Sequence, residues 1–160
     1  MTDAPQRSAT HATFSIDRDY PVSPARVFRA FADPKAKAQW FGGPPEWDQG
    51  ERSMDFRIGG REVNAGGPPG GQTHRFEAIY WDIVPNERII YSYDLCLDDR
   101  RISVSVTTIE LKPTATGTHL TFTEQGAYLD GWDHPEMRET GTRDLLDKLG
   151  AALARSVADA

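Results

Sequence analysis

The spacing of apolar residues changes period along this chain, and the changes divide it into elements. Phe14, Ile16 and Tyr20 alternate with Ser15, Asp17 and Asp19, which predicts a strand over 13–20. Arg18 falls on the apolar side of that strand. Ser23-Pro24 then opens a helix carrying Val27, Phe28 and Phe31, because serine caps and proline is tolerated in the first turn. Asp33-Pro34 stops it and starts a second short helix that ends at Trp40-Phe41-Gly42-Gly43. Period two returns with Met54, Phe56 and Ile58, is broken by Gly59-Gly60, and resumes over 61–65. After the Gly/Pro loop 66–71 come strands carrying Phe76, Ala78 and Tyr80, then Ile89, Tyr91, Tyr93 and Leu95. Strands over 102–111 and 119–125 follow, the latter with Leu120 and Phe122. Residues 126–134 read as a linker. From 135 to 157 the period becomes helical. Met137, Gly141, Leu145, Leu149 and Leu153 recur at steps of four, Leu146 and Ala152 widen the stripe, and Arg138, Glu139, Arg143, Asp144, Asp147 and Lys148 fall on the other side. Asp133-His134-Pro135-Glu136 supplies a cap, an early proline and a carboxylate near the positive end of the dipole.

Strand, two short helices, about six strands and a long helix predict an α+β domain. Strands joined by short turns form an antiparallel meander, and a single amphipathic helix needs that sheet to bury its stripe. The expected architecture is a helix grip, a curved sheet wrapped around the C-terminal helix. With 160 residues the chain suits one domain: a flexible tail over 1–12, then a single domain over 13–157. The net charge of −6 opposes nucleic-acid binding, and no basic cluster offsets it. No apolar run reaches membrane-spanning length and no secretory signal opens the chain. A single cysteine, Cys96, excludes an internal disulfide framework, so a cytoplasmic setting is expected.

Several segments stand in an order and spacing that resemble one group of proteins. They are Arg18-Asp19-Tyr20, the 24–28 stretch, Asp33-Pro34, Gln39-Trp40-Phe41-Gly42, Asp55-Phe56-Arg57-Ile58-Gly59-Gly60 and Val84-Pro85-Asn86-Glu87-Arg88. The resemblance, over roughly 13–155, is to the START-like SRPBCC superfamily, specifically the group named after the activator of the heat-shock chaperone ATPase. It implies a helix-grip fold with a cavity between sheet and C-terminal helix, in a superfamily of co-chaperone domains, lipid carriers and polyketide cyclases. Members of the group often carry Gly-Trp early in the last helix. Here Gly141 is followed by Thr142, so a bulky wall of the cavity is missing.

The aromatic residues are the main functional signal. Each alone can fill a core, but several inward tyrosines point to a pocket, since a buried phenol needs a hydrogen-bond partner. The expected cavity residues are Trp40, Phe56, Phe76, Tyr80, Tyr91, Tyr93, Phe122, Leu145 and Leu149, with Arg18 and Glu124 as polar anchors or as a pair. Tyr128, Leu129 and Trp132, between glycines 126 and 131 or just past them, are expected to form a lid over the mouth. Asp55 and Arg57 lie opposite Phe56, where a solvated cross-strand ion-pair network is the simpler expectation. No His, Cys or carboxylate spacing predicts a metal site: Asp130, Asp133 and His134 share a loop, but helix capping already accounts for Asp133. There is no phosphate-binding glycine loop and no Gly-x-Ser-x-Gly elbow. No cofactor is expected, and nothing demands catalysis.

The sequence thus predicts binding of a small apolar or aromatic molecule, without nucleic acid or membrane, in a protein for which a homodimer is left open. Two rivals stand beside it. A cyclase or hydratase would need convergent polar groups with perturbed pKa values inside the cavity. A co-chaperone-like interaction module would need an exposed apolar patch outside it, and the single-domain length counts against that role.

Overall fold

The computed structural model describes residues 6–158. Seven strands form one antiparallel sheet: β1 (Ala9–Tyr20), β2 (Asp48–Met54), β3 (Arg61–Gly67), β4 (His74–Val84), β5 (Arg88–Leu97), β6 (Arg100–Pro113) and β7 (Thr118–Leu129). Between β1 and β2 lie α1 (Pro24–Ala32) and α2 (Pro34–Lys37), and α3 (Pro135–Ala158) ends the fold. The order across the sheet is β1-β7-β6-β5-β4-β3-β2. Six consecutive strands make the meander, and β1 closes onto its far edge beside β7. Residues 21–47 must therefore cross from one edge of the sheet to the other, which brings α1 and α2 to the face that α3 also covers. The α+β helix-grip expectation holds. Among the described residues no helix is long and apolar enough to cross a membrane.

Local chemistry sets the helix starts. Ser23 Oγ accepts the Arg26 N–H at 3.3 Å, and Asp33 accepts the Lys35 N–H at 2.9 Å, each satisfying one orphan donor of a first turn. Asp133 behaves differently from the expected cap. One of its oxygens accepts the His134 N–H at 2.8 Å and the other holds the guanidinium of Arg138.

Three expected boundaries move. The tail predicted over 1–12 is strand from Ala9 onward, paired with β7 from Ala9↔Leu129 to Tyr20↔Thr118; positions 1–5 lie outside the described residues. The first four residues of the linker predicted over 126–134 are strand, because β7 continues to Leu129 to match that partner. Phe56 and Ile58 do not continue β2. They belong to the turn between β2 and β3, where Gly59 takes φ 84° and a Cβ on Gly60 would lie 2.0 Å from the Asp55 carbonyl oxygen. Only glycine tolerates both demands. Asp55 and Arg57 pair at 2.7 Å inside this turn, not across strands.

The phase of α3 also differs from the expected one. Leu146, Leu149, Ala152 and Leu153 are buried, whereas Met137 is 68% exposed and Gly141 is exposed. Stepping back from Leu149 in turns of about 3.6 residues lands on Thr142 and Arg138, and both face inward. The step of four from Met137 to Leu145 instead follows the edge of the stripe. Tyr20 fixes the register of helix on sheet by donating its hydroxyl hydrogen to the Leu146 carbonyl at 2.7 Å.

Leu149 is 0% exposed and packs in the core with Ile16, Ile109, Leu120 and Val27. Leu149→Ala is expected to cost about 3–5 kcal/mol, read as a lower midpoint in equilibrium urea unfolding. A loss under about 1 kcal/mol would show that the helix does not seat there.

Candidate functional site

The inner face of the sheet changes character along its strands. One transverse row aligns Ile83, Ile89, Ile109, Phe122 and Ile16. The next aligns Tyr80, Tyr91, Thr107, Glu124 and Phe14, and those after it bring in Tyr93, Ser105, Ser103 and Tyr128. The C-terminal half of α3 covers the apolar rows. Its first turns lie over the polar ones.

Between these turns, the sheet and the segment following α1 lies a cavity of 520 Å³. Phe76, Tyr91, Tyr93, Leu95, Phe122 and Glu124 form its floor. Met137, Arg138, Gly141, Thr142, Leu145 and Leu146 form one wall, and Lys37, Trp40, Phe41 and Trp47 another. Trp40 is fixed by its indole N–H, which donates to the Ala30 carbonyl at 3.0 Å, and by edge contacts to Phe31 and Phe41. Phe41 continues edge-on to Phe76, which packs on Tyr91 and Tyr93. Seven of the expected cavity residues thus line one space: Trp40, Phe76, Tyr91, Tyr93, Phe122, Glu124 and Leu145.

Four do not. Arg18 lies on the flank of the domain, bonded to Asp147 at 3.3 Å and to the Asp17 carbonyl, because β1 is an edge strand and its long side chain reaches around α3. Phe56 sits in the β2–β3 turn against Phe28 and Tyr80. Tyr80 is buried outside the cavity lining with its hydroxyl on Glu62. Leu149 belongs to the solid core.

The lid is likewise corrected. Tyr128 is 1% exposed and, with Leu129, belongs to β7. Trp132 stacks under the Arg100 guanidinium, 4.2 Å from its carbon to the ring centre. None of the three lines the cavity, because the strand that carries the first two continues to pair with β1.

Two buried charge clusters were not foreseen. In the first, Lys37 Nζ lies 2.6 Å from Glu62 Oε1, which also accepts the Tyr80 hydroxyl, and the ammonium sits 4.5 Å from the centre of the Phe41 ring. Burial pulls the Lys37 ammonium below its ordinary range, while the Glu62 charge opposes that shift. The available signal was Lys37 at four residues before Phe41, on the side of α2 that also leads to Trp40.

In the second cluster, Glu124 Oε1 accepts hydrogen bonds from Tyr93 and Thr107, each at 3.0 Å. Arg138 donates to Tyr93 Oη and Ser103 Oγ, each at 2.8 Å, and is paired with Asp133. Its nearest approach to Glu124 Oε2 is 3.7 Å. Burial raises the Glu124 carboxyl above its usual range, against the field of Arg138 and the two hydroxyl donors. The four-residue spacing along α3 places Arg138 on the solvent side, which hides this role in the sequence.

Asp130 accepts the Ser8 N–H at 2.8 Å and Arg7 at 3.1 Å, apart from Asp133. No three metal-ligating side chains converge among the described residues.

Comparison with known proteins fits this architecture. Residues 21–154 match the family described as activator of Hsp90 ATPase homolog 1-like protein. The chain belongs to that family. Similar members of known structure include an uncharacterized protein from Rhizobium leguminosarum, 45% identical, with 94% of this chain and 99% of that one covered at a TM-score of 0.89. Mll3558 from Rhizobium loti is 46% identical over 91% of this chain and 99% of its own, at 0.84. CV1439 from Chromobacterium violaceum is 31% identical over 88% and 96%, at 0.75. None of the curated proteins matches the chain. For this member of the Hsp90 ATPase activator homologue-like family, the site is therefore read from its own side chains.

Removing one partner of a buried ion pair leaves the other charge uncompensated. Glu62→Ala is expected to cost about 3–5 kcal/mol, and adding Lys37→Met in that background to recover most of the loss, both measured by urea unfolding. Additive losses in the double variant would contradict the pairing.

The Glu124 carboxyl has a folded pKa above its unfolded value near 4.5, so the folded state binds more protons between the two. Its contribution is therefore present below the unfolded pKa and lost as the pH rises through the folded one. Glu124→Gln removes the titration, and the variant is expected to gain stability relative to the parent as the pH goes from about 4 to about 8. A pH-independent difference between the two unfolding curves would refute the assignment.

Proposed function

We propose that this protein binds a small apolar or aromatic molecule in the cavity between its sheet and α3. The observation that carries the reading is a 520 Å³ space lined by Trp40, Phe76, Tyr91, Tyr93, Phe122 and Leu145 with a few converging polar groups. Ligand sites of small molecules fall at about 300–1,000 Å³ and combine apolar walls with sparse polar contacts. A solid core would have closed this volume, since empty apolar space forfeits dispersion contacts and destabilises the fold. Thr142, where the family resemblance leads one to expect a tryptophan, supports the reading because its small side chain keeps the wall open.

The test is native mass spectrometry of the purified protein, followed by denaturing extraction to weigh any released molecule. The expected spectrum shows a one-to-one adduct, or uptake of added naphthalene at the same stoichiometry. Thr142→Trp is expected to reduce that uptake by about tenfold or more, equivalent to about 1.4 kcal/mol, with the far-ultraviolet circular dichroism unchanged. A parent protein that carries and accepts nothing would end the proposal.

A second reading, catalysis of the hydratase or cyclase type, is favoured by one feature. Lys37 and Glu124 line the same cavity, and burial drives both toward their neutral forms, as groups used for proton transfer often are. Chemical conversion of an extracted ligand on prolonged incubation with the parent, absent in Glu124→Gln, would distinguish catalysis from binding.

A further inference from the structure

We infer that the molecule held in this cavity presents an N–H or O–H hydrogen-bond donor to Glu124 Oε2, seated beside an aromatic or apolar body. This rests on the cavity reading above and specifies the ligand's chemistry.

Glu124 is 2% exposed and lines the cavity. Its two oxygens are treated differently by the fold. Oε1 accepts the hydroxyls of Tyr93 and Thr107, at 3.0 Å each. Oε2 is fully buried and has no hydrogen-bond partner among the described residues. A buried oxygen of this kind carries a desolvation cost unless something donates to it.

Arg138 does not discharge that role. Its Nη1 stands 3.7 Å from Oε2 and donates to Tyr93, while Nη2 is committed to Ser103 and Asp133. Asp133 and Glu124 share the charge of this one guanidinium, which approaches Oε2 as a counterion at 3.7 Å without donating a hydrogen bond to it. The neighbouring rings of Tyr91, Tyr93 and Phe122 offer a flat apolar surface beside the oxygen. Tyr93 and Thr107 hold the carboxyl group through Oε1, which leaves Oε2 positioned for a donor that arrives with the ligand and favours the ionised form. Two sources share this chemistry, a protonated amine and a neutral hydroxyl or N–H group.

Four naphthalenes of similar size separate the possibilities: naphthalene, 2-naphthol, 2-(aminomethyl)naphthalene and 2-acetylnaphthalene. Affinities are measured by isothermal titration calorimetry on the parent protein and on Glu124→Gln. The expected result on the parent is binding of 2-naphthol, 2-(aminomethyl)naphthalene or both about tenfold or more tightly than naphthalene and 2-acetylnaphthalene. An advantage for the amine alone identifies a cationic ligand, and an advantage for the hydroxyl identifies a neutral one. In Glu124→Gln the amide oxygen still serves Tyr93 and Thr107, and the amide N–H now faces the cavity. The preference should therefore invert, with 2-acetylnaphthalene favoured. Equal binding of naphthalene and the donor probes would overturn the inference while leaving the cavity reading intact. Tightest binding of 2-acetylnaphthalene to the parent would overturn it too, by making Glu124 the donor. Binding of none of the four would overturn both.

Discussion

One helix cannot cover seven strands. Neighbouring strands lie about 4.8 Å apart, so the inner face of this sheet measures about 29 Å along its curve, against about 10–12 Å for a helix with its side chains. The fold meets this constraint in two ways. The crossing of 21–47 from one edge to the other lays α1, α2 and Trp40 beside α3. The rows of the sheet are also graded, so that Leu146, Leu149 and Leu153 meet isoleucines and leucines while the first turns of α3 meet tyrosines, serines and Glu124. The uncovered remainder is the cavity. Tyr20, bonded to the Leu146 carbonyl, holds the helix at the register that leaves it there.

The two buried charge clusters serve different ends. Lys37, Glu62 and Tyr80 form a closed set, in which the ammonium has a carboxylate, the carboxylate has two donors, and aromatic faces surround the cation. Its net electrostatic gain is modest once desolvation is counted, but it joins α2 to β3 and β4 and so anchors the wall that Trp40 and Phe41 form. The cluster around Arg138 is open. Arg138 ties α3 to β5 and β6 through Tyr93 and Ser103, yet Glu124 Oε2, Ser105 Oγ and Tyr128 Oη have no hydrogen-bond partner among the described residues. All three lie on the inner face of β6 and β7. A structural network normally satisfies its members; of these three residues, Glu124 is the one that lines the cavity.

Much of the fold was legible because period two and period four are direct records of which side of an element is wet. Tyr91, Tyr93, Phe122 and Glu124 were placed inward by alternation alone. The failures have physical causes. Phe56 and Ile58 alternate correctly but follow the end of a strand, and alternation does not report whether a backbone partner is present. Tyr128 and Leu129 were read as linker because Gly126 interrupts the pattern, although β1 continues to pair with them. Arg138 was lost through a one-residue error in the phase of α3. Met137 and Gly141 were counted as apolar, whereas an inward Arg and Thr broke the stripe where the site required polarity. Lys37 was missed because a lysine on a four-residue helix carries no sign of its partner, which lies on β3.

The polar groups at the cavity differ in how far their protons are already committed. General acid–base catalysis needs at least one group whose proton is free to move to or from a bound molecule. Lys37 is engaged by Glu62, and its stem is confined by Phe41, so its proton faces a carboxylate already within hydrogen-bond reach. Tyr91 and Tyr93 are pushed well above the ordinary phenol range, first by burial, and so are poor proton donors at neutral pH. Glu124 lines the cavity, and its Oε2 is buried with no hydrogen-bond partner among the described residues. In the proposed reading, this single acceptor orients a ligand by its donor and leaves the rest of the molecule to the aromatic walls.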